Sequence, residues 1–236
     1  LASELAVKRH EDGIAWVLAD RALTAAKNSG DAATIAASSR SAAIAMRRQG
    51  HHNGAIDLLT DAALDLDADR GDPPAPLLSA FGSLLCTASY SAAQHGKSAQ
   101  AVQLIEEAEQ TAQRLGETIP SVGIARFSST NVAIYRIGVH TALGESGTAL
   151  SYARSIDLGQ LPTAERRARC LIDTAKACER HGDISRASQA LGLAERCAPE
   201  EIQRPSVRTL ISGMLYAPGP TPTDLRPLAI RAGAAR

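Results

Sequence analysis

The chain has 236 residues, of which 44% are apolar and only 3% aromatic, and its 25 basic and 25 acidic side chains cancel to a net charge of zero. The sequence has no strongly basic stretch, so it lacks the electrostatic footprint of a nucleic-acid-binding surface. It also has no apolar run near the roughly 20 residues of a membrane span and no signal peptide at its start, so we expect a soluble, cytoplasmic protein without membrane contacts.

The sequence predicts helices along its whole length. Alanine and larger apolar residues recur at helical spacing, and glycine or proline interrupts them at Gly30, at 70–76, at 116–120 and at 158–162. In chain order the predicted helices cover residues 1–11, 14–28, 32–48, 52–68, 77–94, 98–115, 122–141, 146–156, 163–180 and 184–196. No segment alternates apolar and polar residues over the length of a strand. We therefore expect an all-α fold.

A glycine followed five residues later by an alanine is the main repeated feature. The pair occurs four times, at Gly50 and Ala55, Gly96 and Ala101, Gly144 and Ala149, and Gly182 and Ala187. Glycine ends a helix readily because it adopts the left-handed conformation, and alanine allows the next helix to pack closely. Each copy therefore predicts a helical hairpin. For a weaker first copy, we place Gly13 in the turn position and Leu18 in the alanine position.

Further small and bulky residues follow each pair along the second helix. Small residues recur at Ala62, Ala108 and Ala194, with a leucine or isoleucine before each, at Leu59, Ile105 and Leu191. This resembles the tetratricopeptide (TPR) pattern, and the wider spacing here implies insertions into its period of about 34 residues. The copy at Gly144 departs from the pattern at Ala153 and Ile156. We predict about five TPR-like hairpins over 1–197, the first incomplete, stacked as an α–α superhelix, or solenoid.

Residues 198–236 differ from the repeats and form a separate predicted region. A last helix would present Ile202, Val207, Leu210, Ile211 and Leu215, followed by a proline-rich turn and a short helical tail. A solenoid must cover its terminal apolar face, so this helix is interpreted as a cap. A dimer contact is the alternative interpretation.

The concave face of such a solenoid is lined by the first helix of each hairpin, and it is the predicted ligand groove. Counting back from each turn glycine gives the candidate groove residues Arg40, Ile44, Arg47, Ser83, Cys86, Tyr90, Asn131, Ile134, Thr141, Arg169, Ile172 and Lys176, with Glu179 beside them. Arginine forks suit carboxylates, asparagine suits a peptide backbone, and the apolar members would supply pockets. The groove therefore fits a peptide or a small acidic ligand. The alternative is that these residues form an ordinary solvated helix surface.

No motif for catalysis, metal binding or cofactor binding is present. The four cysteines form no CxxC pair and are interpreted as reduced core or groove thiols. Adjacent histidines such as His51 and His52 point about 100° apart on a helix and cannot share a metal from one face. The segment 144–149 resembles the Gly-x-Ser-x-Gly motif of a nucleophile elbow, but no predicted strand precedes it, as that motif requires. The phosphate-loop, dinucleotide-binding and HExxH motifs are missing. We expect no catalytic residue, no metal, no cofactor and no enzymatic activity.

Two segments carry a more specific resemblance. Residues 12–59, beginning "DGIAWVLADRAL", and residues 204–234, beginning "RPSVRTLISGML", resemble the C-terminal regions of bacterial Xre-type helix-turn-helix transcription regulators. In those regulators a small DNA-binding domain precedes a TPR-like region, and the related RRNPP quorum-sensing group binds signalling peptides in the concave groove. The resemblance implies a ligand-sensing domain of a homodimer that contacts DNA only through another domain.

The chain begins at Leu1 and carries no DNA-binding domain, so we expect it to be part of a longer protein. An alternative, from a different functional class, is a TPR protein-protein interaction scaffold with no role in transcription.

Overall fold

The computed structural model describes residues 2–68, 71–116 and 127–235, and every regular element within these residues is helical. The α helices of this described part are α1 (Ala2–Lys8), α2 (Asp12–Ser29), α3 (Ala32–Arg48), α4 (His52–Leu64), α5 (Ala75–Gln94), α6 (Ser98–Leu115), α7 (Ser129–Ala142), α8 (Ser146–Ser155), α9 (Ala164–Arg180), α10 (Ile184–Cys197), α11 (Pro199–Ile202), α12 (Pro205–Leu215) and α13 (Leu225–Ala232). A short 3-10 helix, Leu158–Gln160, precedes α9. The prediction of an all-α fold is confirmed.

Most helix bounds follow the predicted ones, and the differences have local causes. The bounds of α3 and α6 are as predicted, whereas α4 ends at Leu64 and the chain turns through Asp67, whose φ is 47°. The predicted start of α7 and the break at 116–120 fall largely on residues outside the described ranges. The prediction of a single helix from Ile202 to Leu215 was wrong. The structure has two helices there, α11 and α12, because Pro205 forces Arg204 out of the helical conformation, to a ψ of 138°.

The four predicted turn glycines share one geometry. Gly50, Gly96, Gly144 and Gly182 have φ values of 84°, 75°, 82° and 84°. After each glycine, the next backbone N–H donates to the carbonyl five residues earlier, as from Lys97 to Ala92 at 2.9 Å and from Asp183 to Cys178 at 2.9 Å. This is the Schellman arrangement, in which a left-handed residue satisfies the last carbonyls of a helix. The predicted role of these glycines is confirmed.

The first turn uses a histidine in place of glycine, which corrects the predicted assignment. Gly13 lies inside α2, and the left-handed residue is His10, with a φ of 60°. Glu11 N–H donates to the Ala6 carbonyl at 3.0 Å, the same bond as in the other four turns. Histidine tolerates the left-handed region better than most side chains. Five residues after His10 comes Ala15, so the turn and alanine positions belong to His10 and Ala15, and the assignment to Gly13 and Leu18 was wrong.

The alanine that follows each turn is fully enclosed. Ala15, Ala55, Ala101, Ala149 and Ala187 are all 0% exposed. In two hairpins a serine of the first helix reaches the alanine's backbone: Ser3 Oγ donates to Ala15 O at 2.8 Å, and Ser89 Oγ donates to Ala101 O at 2.7 Å. Helices this close leave no room for a larger side chain.

The chain divides into two compact units, one ending at Tyr135 and the other starting at Arg136. In the first unit, each helix from α1 to α6 contacts the next along the chain, and α3 also contacts both α1 and α5. Its core includes Ile56, Leu59, Leu84 and Ile105. In the second unit, α9 packs against α8, α10, α11 and α12, and α12 contacts α13. Three of the predicted cap residues, Ile202, Val207 and Ile211, are buried there, and Leu210 and Leu215 are half-buried.

Candidate functional site

One face of α3 places two arginines against hydroxyl groups of α5. Arg40 and Arg47 lie two turns apart, so they point the same way. Arg40 Nε donates to Thr87 Oγ1 at 3.0 Å, and Arg47 Nη1 donates to Ser91 Oγ at 2.9 Å. Thr87 and Ser91 are one turn apart on α5, so the two long arginine side chains converge on neighbouring hydroxyl groups. We call this group, with the residues that contact it, the arginine site: Glu4, Arg40, Arg47, Thr87, Tyr90, Ser91 and Tyr135.

Arg40 joins several helices at the arginine site, and we call it the junction residue. Its side chain is 26% exposed, and it also donates from Nη1 to Glu4 Oε1 at 3.2 Å and from Nη2 to the Tyr135 hydroxyl at 3.3 Å. The neighbouring Tyr135 phenol, together with the Glu4 carboxylate, outweighs burial and raises the pKa of Arg40 above its ordinary value. Arg40 therefore stays charged, is balanced by Glu4 and links α3 to α1, α5 and α7.

Tyr135 and Thr87 complete the hydrogen bonds around Arg40. Thr87 Oγ1 donates to the Ser83 carbonyl at 2.9 Å and so accepts from Arg40, while the Tyr135 hydroxyl lies 3.4 Å from Thr87 Oγ1. Burial by itself raises the pKa of the Tyr135 phenol, but the charge and hydrogen bond of Arg40 reverse that effect and the net pKa is lowered. The cluster around Arg40 is thus satisfied from within the first unit.

Arg47 has a different environment. Its guanidinium carbon lies 5.0 Å from the centroid of the Tyr90 ring, a cation–π arrangement. Burial lowers the pKa of Arg47, and the positive charges of Arg40 and Arg48 act in the same direction, against the tyrosines. The neighbouring Arg48 has a carboxylate, Asp12 Oδ1 at 3.1 Å. Arg47 has no carboxylate within ion-pair distance among the described residues.

Several predicted groove residues of the first unit lie half-buried on the helices that carry this site. Tyr90 meets Arg47 as described, and Ile44, Ser83, Asn131 and Ile134 are half-buried. Asn131 is near the start of α7, where its backbone N–H donates to Ser128 Oγ at 3.3 Å. Cys86 differs from these residues: at 1% exposure it belongs to the core, and its thiol is not accessible to a ligand.

The predicted groove residues of the second unit have different surroundings. Thr141 and Ile172 are 6% and 2% exposed and so belong to the core, and the Thr141 hydroxyl donates to the Ile137 carbonyl at 2.6 Å. Lys176 Nζ is paired with Asp173 Oδ1 at 2.8 Å, and Arg169 lies exposed on the same helix. We therefore take the first unit as the better candidate site.

Four residues of the arginine site were not predicted from the sequence: Glu4, Thr87, Ser91 and Tyr135. Thr87 and Ser91 each follow a predicted residue by one position, Cys86 and Tyr90. They could have been found as two hydroxyl residues spaced one turn apart on an alanine-rich helix. Glu4 and Tyr135 had no local signal, since they contact Arg40 only through the packing of α1 and α7.

A second polar cluster, also unpredicted, lies in the second unit. The His140 imidazole is buried, with Nδ1 2.6 Å from Glu145 Oε2, and it stacks on the Tyr152 ring at 5.5 Å between centroids. The Arg136 guanidinium carbon lies 5.2 Å from the centroid of the same ring. His140 Nε2 is buried without a hydrogen-bond partner in the structure. We call these four residues the histidine cluster.

The described residues contain no group of three or more histidine, cysteine, aspartate or glutamate side chains placed to hold a metal ion. Cys86, Cys170, Cys178 and Cys197 form no disulfide bond; the first three are buried and Cys197 is half-buried. Burial, reinforced by Asp173, raises the pKa of the Cys170 thiol to about 12. A thiol held neutral in this way is a poor nucleophile.

Within the described ranges no helix combines the length and the apolar character that crossing a membrane requires.

Comparisons with known proteins add little to this geometry. No family model matches the chain, and no curated protein matches it. A solved structure with some similarity is the crystal structure of BtubC (BKLC) from P. vanneervenii, at 19% sequence identity and a TM-score of 0.48, covering 94% of this chain and 82% of that one. A TM-score below 0.5 does not establish a shared fold.

Proposed function

We propose that the chain is the ligand-sensing domain of a bacterial transcription regulator and that it binds a peptide or small acidic ligand at the arginine site. The observation that carries this proposal is the contact of α3 with both α1 and α5, in addition to the contacts between consecutive helices. The first helices of the first three hairpins therefore form one layer. Arg40, Arg47 and Tyr90 lie within that layer, where a groove-binding repeat protein holds its ligand.

The repeat geometry supports a TPR-like interpretation of the first unit. Its three hairpin turns, at His10, Gly50 and Gly96, share the left-handed residue, the hydrogen bond over five residues and the buried alanine that follows. Contacts between first helices of neighbouring hairpins are what stacking of such units requires. We propose a solenoid arrangement for these three hairpins.

The Arg40 junction suggests how ligand binding would be transmitted. Arg40 bonds to α1, α5 and α7 at once, so a shift of any of these helices changes its hydrogen bonds. A ligand that binds one stacking arrangement better than another shifts the population toward it. In the proposed regulator this shift would alter the geometry of a homodimer, and DNA would be contacted by a separate domain.

The test uses the full-length protein that contains this chain, purified from its own bacterium so that a bound ligand is retained. We expect native mass spectrometry to detect a co-purified acidic ligand. We also expect electrophoretic mobility shifts of promoter DNA to change when the ligand is removed, while the isolated 236-residue chain should not bind DNA specifically, because its net charge is zero. A full-length protein with no DNA-binding domain, or with ligand-independent DNA binding, would contradict the proposal.

A protein-interaction scaffold is the second candidate function. Leu5, Ile14 and Val17, on α1 and α2, are 58%, 55% and 48% exposed. Exposed apolar side chains of this size often mark protein contacts. Stable co-purification of a protein partner, together with the absence of any small ligand, would favour the scaffold.

A further inference from the structure

The charges on α3 are unevenly compensated. Arg40 lies 3.2 Å from a carboxylate oxygen of Glu4, and Arg48 lies 3.1 Å from one of Asp12. Arg47, between them on the same helix, contacts a hydroxyl and an aromatic ring, and the described part of the chain gives it no carboxylate. The arginine site therefore carries one positive charge that is half-buried and uncompensated. A monoanion would balance it, and a phosphate dianion would leave excess negative charge.

The donors left at Arg47 and Tyr90 match a carboxylate. A guanidinium has five N–H donors in a rigid fork, and Ser91 Oγ accepts only one of them, from Nη1. The Ser91 hydroxyl donates to the Thr87 carbonyl at 2.8 Å, so it is already used. The Tyr90 hydroxyl accepts from Gln94 Nε2 at 3.2 Å, and its own O–H has no acceptor among the described residues. Charged N–H donors and a neighbouring O–H are what the two oxygens of a carboxylate require.

The surroundings of these donors are partly apolar. Ile44 is half-buried one helical turn before Arg47, and the Tyr90 ring covers the guanidinium. An apolar group attached to the carboxylate would remove this surface from water, which is favourable in proportion to the area covered. The site therefore fits an acid with an aliphatic or aromatic body better than a small hydrophilic anion.

We infer that Arg47 and Tyr90 form a binding site for a single carboxylate attached to an apolar group, with Arg47 as the anion-binding residue and Arg40 as a structural one. The inference rests on the proposed function, because it names the ligand chemistry of the same site. The acid comes either from a free monocarboxylic acid or from the C-terminal residue of a peptide. Both sources present the same carboxylate beside an apolar side chain.

The test is an NMR titration of the full ¹⁵N-labelled chain with three probes. 4-Methylpentanoate represents the free acid, N-acetyl-leucine the peptide terminus, and 4-methylpentanamide is the neutral control. We expect both acids to shift the resonances of α3 and α5, and the amide to shift none at the same concentrations. The source of the natural ligand is assigned from whichever acid binds more tightly. Equal binding of acid and amide, or no binding of either acid, overturns the inference.

Variants of neighbouring arginines separate the two roles. Arg47→Gln should weaken binding of the better acid at least tenfold, and Arg47→Lys should lose several-fold because lysine keeps the charge but not the fork. Arg48→Gln is the matched control, since it removes the same charge one residue away, and it should change affinity less than twofold. Tyr90→Phe keeps the ring and removes the O–H donor, so it provides a second test if Arg47→Gln does not fold. We expect a loss of several-fold for Tyr90→Phe.

Two outcomes separate this inference from the proposed function. Unchanged acid binding in Arg47→Gln and Tyr90→Phe, both folded by circular dichroism, overturns the carboxylate site and leaves a ligand-sensing role elsewhere in the first unit open to the full-length experiment. Normal acid binding at Arg47 in a full-length protein that shows no ligand-dependent DNA binding overturns the regulator and supports the site.

Discussion

The two units each contain an arginine over a tyrosine ring, and the two pairs differ in what surrounds them. In the first unit Arg47 lies 5.0 Å from the Tyr90 centroid, and in the second Arg136 lies 5.2 Å from the Tyr152 centroid. Tyr152 also stacks on His140, which holds Glu145 at 2.6 Å. Glu145 of the second cluster bonds to the histidine ring that stacks on Tyr152, whereas Glu4 of the first bonds to Arg40, two turns from Arg47, which has no carboxylate among the described residues.

This difference shows that the cation–π pair alone does not indicate a binding site. The distance from the guanidinium carbon to the ring centroid is nearly the same in both units. What distinguishes the two clusters is the hydrogen-bonding groups that remain without a partner among the described residues. At Arg47 and Tyr90 these groups are donors at a half-buried position, which suits an anion. In the histidine cluster a ring nitrogen without a hydrogen-bond partner, His140 Nε2, is buried and enclosed by protein. The first cluster is therefore the proposed binding site, and we expect a packing role for the second.

The largest expected effect tests whether both units are built from the same hairpin. Ala55 in the first unit and Ala187 in the second are both 0% exposed at the position after the turn. Ala55→Leu and Ala187→Leu should each lower the free energy of unfolding by roughly 1 to 3 kcal/mol, because the larger side chain overpacks the helix crossing. Urea denaturation measures both losses. A loss in only one variant would show that the hairpins of the two units pack differently.

The next effect concerns the junction in the first unit. Arg40→Ala removes hydrogen bonds to Thr87, Tyr135 and Glu4, and we expect a loss of roughly 2 kcal/mol in the free energy of unfolding, less than for a fully buried pair because Glu4 is partly in water. Arg48→Ala is the control, since Arg48 is about as exposed as Arg40 but, within the described part of the chain, its side chain bonds only to Asp12 and His10 beside the first turn, and it should cost about 0.5 kcal/mol. Equal losses in the two urea melts would contradict the junction role of Arg40.

A smaller effect is expected in the histidine cluster. His140→Phe keeps a ring against Tyr152 and loses the bond to Glu145, but it also removes the buried Nε2 that lacks a partner. These contributions oppose each other, so the free energy of unfolding should change by less than about 1 kcal/mol. A loss above about 2 kcal/mol in urea denaturation would mean that Nε2 has a partner in solution, such as an enclosed water.

The smallest effect is a pH dependence in the arginine site. Burial raises the pKa of Tyr135, but Arg40 reverses this and leaves the pKa lowered, so the folded phenol loses its proton before the unfolded one. The unfolded chain then binds more protons in the window just below the unperturbed tyrosine pKa of about 10, and stability rises with pH there.

Tyr135→Phe lacks this contribution. The difference in urea midpoint between the wild type and Tyr135→Phe should therefore be larger at pH 10 than at pH 8. A constant or shrinking difference would show that Arg40 does not stabilise the phenolate.

The local parts of the fold were predictable from the sequence because their causes are local. Gly50, Gly96, Gly144 and Gly182 occupy left-handed positions that few other residues tolerate, so they could be identified one at a time. The first turn could not be identified in this way, because its left-handed residue is His10 and not a glycine. The nearby Gly13, which lies inside α2, was therefore assigned to the turn by mistake. Helix type and most helix ends thus follow from short-range preferences.

The residues of the arginine site also differ in whether the sequence could predict them. Helical periodicity along α3 and α5 was enough to select Arg40, Arg47 and Tyr90, because each lies on a face that repeats every 3.6 residues. The partners of Arg40 are 36, 47 and 95 residues away in the chain, at Glu4, Thr87 and Tyr135. Their positions depend on how α1, α5 and α7 pack around α3. The sequence by itself determined the helices, most of the hairpin turns and the arginine-bearing face. Only the tertiary structure decided which arginine has a carboxylate partner and which has none among the described residues, because charge compensation depends on distances between helices that short-range preferences do not specify.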